Sequence, residues 1–200
     1  MTTSFALTYD YRCPFARNAH EHVLQALAHG ATWQVDFAPF SLTQAHVDEG
    51  GLAVWDDPAK AADLLAIEAS LVVRRQVPER FLDLHRALFA ARHDQGLDLR
   101  STEVVTDVLD ATGCDADAVM PEVKEGWPRQ EFRAAHEELV RRHHVFGVPT
   151  FVVGDAAVFV RIMTRPAGDG HGAQATIDNV LSLIEHSPEL NEFKHTSITR

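Results

Sequence analysis

The spacing of apolar positions changes along the chain and marks out its elements. "FALTY", Phe5 to Tyr9, is a short apolar run and predicts a first strand. In "PFARNAHEHVLQALAHG", Ala16, Ala19, Val23 and Leu27 recur at helical spacing. Pro14 suits a first helical position there, and Gly30 suits the stop. "TWQVDFAPF" predicts a second strand around Trp33 to Phe37. Strand, helix and strand in that order read as a βαβ unit.

From about Leu52 to Phe146 no strand pattern occurs. "DPAKAADLLAIEASLVVRRQ" predicts a helix with Leu64, Leu65, Leu71 and Val72 on related turns, interrupted at Pro78. "ERFLDLHRALFAARHDQG" places Phe81, Leu84, His85 and Leu88 on one face. "STEVVTDVLDATG" opens with a capping Ser101 or Thr102, and "DADAVMPEVKEG" predicts a short helix. "RQEFRAAHEELVRRHHVFG" predicts a long one carrying Phe132, His136, Leu139 and Val140.

Strand patterning then returns. "TFVV" and "AVFV" flank "GDA", a tight-hairpin signature, and "ATIDNVLSLIEHS" predicts a closing helix. The order is β-α-β, a block of helices, then β-β-α. The simplest arrangement is an α/β fold whose outer segments share one sheet, with the helices inserted between them. The expected organisation is a discontinuous domain over 1–50 and 146–187, an inserted helical domain over 51–145, and a C-terminal tail over 188–200.

Composition narrows the function classes. The chain has 200 residues, 46% of them hydrophobic, enough to bury a sizeable core. A formal charge of -11 argues against general nucleic-acid binding, which needs clustered positive charge. No apolar stretch is long enough for a membrane span, and "MTTSFALTYDY" does not read as a signal peptide. Two cysteines make no disulfide framework, so the expectation is a cytoplasmic protein with free thiols. The 12 histidines lack metal-site spacing and no metal is expected: His20 and His22 point apart on a helix, and His143 and His144 are adjacent.

Two short stretches carry the chemistry: "RCPFA" after the first strand and "FGVPTFVV" before the third. Together they resemble the thioredoxin-like superfamily. The helical block between them resembles its DsbA-like branch, whose relatives include FrnE-like proteins, kappa-class glutathione transferases and hydroxychromene carboxylate isomerases. The resemblance runs from Phe5 to Glu185 and implies a thioredoxin-like fold with a large all-helical insertion. It implies that Cys13 is the nucleophile and Pro149 a cis-proline. Ala16 stands where the family's partner cysteine would be, and Cys13 stands where the isomerases and transferases usually have serine.

A cysteine at a helix N-terminus has a physical reason to be reactive, because unpaired N–H groups and the helix dipole favour its thiolate. The expectation is an exposed thiolate of lowered pKa, with the charge of Arg12 beside it. The expected substrate-binding residues are Arg12, Pro14, Phe15, Asn18, Val148, Pro149, Thr150 and Arg161. Val148 would offer its backbone to an extended ligand, Thr150 a hydroxyl, and Arg161 with Arg165 a carboxylate clamp. Trp55 or Trp127 could line a cleft between sheet and helices.

Without a neighbouring sulfur, a mixed disulfide at Cys13 must be resolved by an external thiol, or by Cys114 if a mobile lid brings it over. Three readings follow: a single-cysteine thiol-disulfide oxidoreductase or thiol-dependent reductase, a glutathione-transferase-like or isomerase-like enzyme, and a non-catalytic binding scaffold. No cofactor is expected beyond a low-molecular-weight thiol as co-substrate. The expected partners are such a thiol, a disulfide-containing protein or peptide, and a second copy in a homodimer.

Overall fold

The computed structural model describes residues 3–195. Four strands form one sheet in the order β2-β1-β3-β4. β1 (Ser4–Tyr9) runs parallel to β2 (Gln34–Pro39) through the helix α1 (Pro14–Ala28). β3 (Thr150–Val153) lies antiparallel to β1, and β4 (Ala156–Phe159) pairs antiparallel with β3 across the Gly154–Asp155 turn. Gly154 has φ +57 there, a left-handed conformation that glycine adopts without a Cβ penalty.

Between β2 and β3 lie helices alone. The one-turn α2 (Leu42–Ala45) leads to a 3₁₀ helix (Pro58–Asp63) and α3 (Leu65–Gln76). A second 3₁₀ turn (Pro78–Arg80) enters α4 (Phe81–His93), followed by α5 (Thr102–Ala111), α6 (Ala116–Lys124) and α7 (Trp127–His143). The break expected at Pro78 is present. The segment 58–63 is 3₁₀ rather than α-helical: Asp57 caps it through the Ala59 N–H at 2.9 Å, and Pro58 follows. Ser101 is the cap of α5, accepting from the Val104 N–H at 3.4 Å.

The closing helix α8 (Gly170–His186) starts earlier than the apolar pattern suggests. It begins inside the glycine-rich stretch "PAGDGHG". Asp169 accepts from the His171 N–H at 3.0 Å and nucleates the helix through its two glycines. Of the expected C-terminal tail, residues 188–195 carry no helix or strand, and 196–200 lie outside the described residues.

One connected apolar core runs through sheet and helices alike. Alternation along β1 buries Phe5, Leu7 and Tyr9, and α1 contributes Ala16, Ala19 and Val23. α1 packs against α8 and α4, and α7 against β2. The helical block is thereby joined to the sheet close to the end of β1, where the chain turns into α1. Among the described residues no helix is long and apolar enough to cross a membrane.

Candidate active site

The site is built where β1 ends. Cys13 has extended backbone angles and caps α1, its Sγ accepting from the Ala16 N–H at 3.4 Å. Pro14, at the first helical position, has no N–H to satisfy. From the far end of the sequence the Val148–Pro149 bond, which is cis, comes alongside. The Cys13 thiol donates to the Val148 carbonyl at 3.3 Å. The two motifs separated in sequence thus meet at one sulfur.

That sulfur is neither exposed nor lowered in pKa. Cys13 is 8% exposed. Burial dominates and pushes its thiol up; the Ala16 and Phe15 N–H groups pull it down, and the Asp10 carboxylate pushes it up again. Helix-start stabilisation is present but smaller than desolvation. A protonated thiol fits the geometry, since only Sγ–H can donate to a carbonyl.

Arg12 does not lend its charge to Cys13. Its guanidinium turns back to Asp10, with Nε at 3.1 Å from Oδ1 and Nη2 at 2.9 Å from Oδ2, and Asp63 lies 3.7 Å away. The buried Asp10 also accepts from the Arg12 N–H at 3.0 Å and the Leu42 N–H at 2.9 Å. It braces the turn before Cys13 against the start of α2.

The other expected ligand-binding side chains are mostly engaged within the protein. Asn18 donates to the Ile162 carbonyl at 3.0 Å and ties α1 to the segment after β4. The Thr150 hydroxyl donates to the Gly147 carbonyl at 2.8 Å, while its N–H donates to Thr8 Oγ1 at 2.8 Å. Arg165 is paired with Glu21 and Asp94, so it forms no clamp with Arg161. Arg161 is exposed and lies over the half-buried Phe15 ring, 5.3 Å from its centroid.

Cys114 is 2% exposed and precedes Asp115, the cap of α6; its Sγ lies 3.6 Å from the Thr112 hydroxyl oxygen. Both cysteines are free thiols. Neither Trp55 nor Trp127 lines the cleft of about 310 Å³ bordered by Asp10, Tyr11, Arg12, Ile67, Arg92 and Arg100. Trp55 is core, edge-on to Phe132 at 4.9 Å, and Trp127 carries the Arg75 guanidinium 3.7 Å over its ring. Among the described residues no three His, Cys, Asp or Glu side chains gather as a metal site.

Beside the turn runs a buried chain of hydrogen bonds that the sequence did not disclose. His20 Nε2 lies 3.1 Å from the Thr8 carbonyl, His85 Nε2 lies 2.9 Å from His20 Nδ1, and the Tyr11 hydroxyl lies 2.8 Å from His85 Nδ1. With both rings neutral, one proton pattern satisfies all three. The carbonyl only accepts, so His20 carries hydrogen on Nε2; His85 donates from Nε2 to His20, and Tyr11 donates to His85. Burial keeps the rings neutral: it lowers His20 to about 3 and His85 well below its ordinary value, and it raises Tyr11. The one available signal was His85 on an otherwise apolar helix face.

Residues 7–167 match the family described as the DSBA-like thioredoxin domain. No curated protein matches the chain. Similar solved structures include Pseudomonas aeruginosa DsbA, at 20% identity and TM-score 0.59, covering 94% of this chain and 85% of that one. A 2-hydroxychromene-2-carboxylate isomerase aligns at 14% identity and TM-score 0.63, covering 95% of this chain and 100% of its own. The cytosolic disulfide reductase DsbM from Pseudomonas aeruginosa, solved with GSH, aligns at 13% identity and TM-score 0.61, covering 90% and 100%. These likenesses show a shared fold spanning oxidoreductases and an isomerase. With the matched segment covering most of the chain and Cys13 set against Val148–Pro149, the chain belongs to the DSBA-like thioredoxin domain family.

Proposed function

We propose that this chain is a single-cysteine thiol-disulfide oxidoreductase whose mixed disulfide is resolved by an external small thiol. The observation that carries the reading is Cys13 Sγ at the start of α1, 3.3 Å from the Val148 carbonyl, with Ala16 where a resolving sulfur would stand. The Val148 N–H has no hydrogen-bond partner among the described residues, which leaves a backbone donor for an extended peptide or a tripeptide thiol. Arg161 would meet the ligand's carboxylate, with Phe15 beneath it.

The exchange balances in two steps. Cys13 loses its proton to solvent, and its thiolate attacks one sulfur of a disulfide; a Cys13–S–S bond forms and the other sulfur leaves as thiolate. The external thiolate then attacks the mixed disulfide, a new disulfide departs, and Cys13 is restored. Because the reacting form is the thiolate and the resting thiol is pushed up, the rate climbs with pH through a midpoint above the ordinary thiol value. A cytoplasmic setting, with its pool of small thiols, belongs to the same proposal. The test is reduction of a small disulfide with glutathione as electron donor. Turnover should vanish in Cys13→Ala and persist in Cys114→Ser; turnover surviving Cys13→Ala refutes the reading.

One observation favours a second reading. A thiol held protonated is a hydrogen-bond donor, and it could steady the sulfur of a bound small thiolate that itself attacks the substrate. In that transferase-like or isomerase-like scheme, Cys13→Ser keeps activity on an electrophilic substrate because serine still donates. In the exchange scheme the same variant is inactive.

A further inference from the structure

Cys13 reaches the start of α1 through a tight turn. Its N–H donates to the Asp10 carbonyl at 3.0 Å, so the peptide between Tyr11 and Arg12 is the turn's central unit. Such a unit can rotate between turn types while the flanking residues move little, because the types differ mainly in its orientation. Here both of its polar ends are held. The Arg12 N–H donates to Asp10 Oδ1 at 3.0 Å, and the Tyr11 carbonyl lies 2.9 Å from His93 Nε2. A carbonyl only accepts, so His93 donates in either charge state of its ring.

His93 ends α4, in the helical block rather than in the sheet. Its ring stacks on Phe89 at 6.4 Å, and Phe89 packs edge-on against the Tyr11 ring at 4.9 Å. α4 therefore grips Tyr11 twice, at the hydroxyl through His85 and at the carbonyl through His93. The charged groups that bear on His93 are Arg17, Arg92 and Asp94.

We propose that His93 is a positioning residue for Cys13: by holding the Tyr11 carbonyl it fixes the orientation of the turn that delivers the thiol to the Ala16 N–H. The proposal rests on Cys13 being the reacting group. Freeing the carbonyl lets the central peptide rotate and loosens the cap. The thiolate then loses a hydrogen bond that it needs more than the thiol does.

The test is the pH dependence of Cys13 alkylation in a Cys114→Ser background. Alkylation needs neither disulfide nor external thiol, so its outcome is separate from that of the turnover assay. His93→Phe should raise the midpoint and slow the reaction about fivefold at a fixed pH, the worth of one modest hydrogen bond. His93→Gln, whose amide can donate to the same carbonyl, should restore both. If His93→Phe fails to fold, His93→Leu takes its place, again without a donor. A folded donor-less variant with an unchanged midpoint overturns the proposal, as does a Gln variant that is as slow as the Phe one.

Discussion

Cys13 and Cys114 invite comparison because each stands at the start of a helix and each is buried. The difference is one residue of phase. Cys13 is itself the cap, so the Ala16 N–H points at its sulfur. Cys114 sits one place before the cap; Asp115 takes that role, accepting from the Ala118 N–H at 3.2 Å. Their surroundings differ as well. Cys13 faces the Val148 carbonyl and follows a turn that Asp10 braces and the His85–His20 chain holds through Tyr11. The Cys114 sulfur lies 3.6 Å from a single threonine hydroxyl, whose one proton is shared between the Val108 and Leu109 carbonyls at 2.9 Å. The proposed reactivity is thus assigned to the helix start whose sulfur occupies the cap and faces a backbone carbonyl.

Acid should break the Cys13 side first, and by the most. Unfolded histidines bind protons near pH 6.5, whereas folded His20 waits until about 3 and His85 is held well below its ordinary value. Between those limits the unfolded chain binds more protons, so stability falls as pH drops below 6.5. Each histidine contributes about 1.4 kcal/mol per pH unit, or about 4 kcal/mol for the pair at pH 5, as an upper bound. Urea midpoints at pH 7 and pH 5 measure this, and equal midpoints would show that the relay is not held neutral.

Alkylation sharpens the contrast next. Cys13 should react from the native state, and Cys114 only through local opening, roughly a hundredfold slower in the intact protein. Peptide mapping after limited labelling checks the ratio. Comparable labelling would erase the distinction between the two thiols.

Smaller effects separate the two polar surroundings. Tyr11→Phe removes the donor to His85 and leaves a buried ring nitrogen unpaired, a loss of about 2 kcal/mol in thermal or urea unfolding. Thr112→Val beside Cys114 removes only local contacts and should cost less than about 1 kcal/mol. The reverse order would place the structural weight on the wrong side.

The fold was legible because its signals are local. Phe5, Leu7 and Tyr9 alternate, Ala16, Ala19 and Val23 keep helical spacing, and Gly154–Asp155 marks the hairpin. Where local signals compete, apolar spacing alone does not place the helix start. Asp57 and Pro58 start a 3₁₀ helix, and Asp169 begins α8 across glycines that look like a loop. The site was legible as a pair of motifs but not as an electrostatic environment. Arg12 pairs with Asp10 two residues away, and Asn18 reaches Ile162 across the fold. Burial of Cys13 likewise depends on packing that no spacing records. The contacts from His85 and His93 to Tyr11 depend on how α4 docks, so they emerge only in three dimensions.

The central claim is that Cys13 alone exchanges with a disulfide and is released from outside. Intact-mass analysis after brief exposure to oxidised glutathione tests it most directly, with peptide mapping and then addition of reduced glutathione. The account predicts one glutathionyl adduct, on Cys13, discharged by the added thiol with Cys114 unmodified. An unmodified Cys13, or an intramolecular disulfide between Cys13 and Cys114, would contradict it.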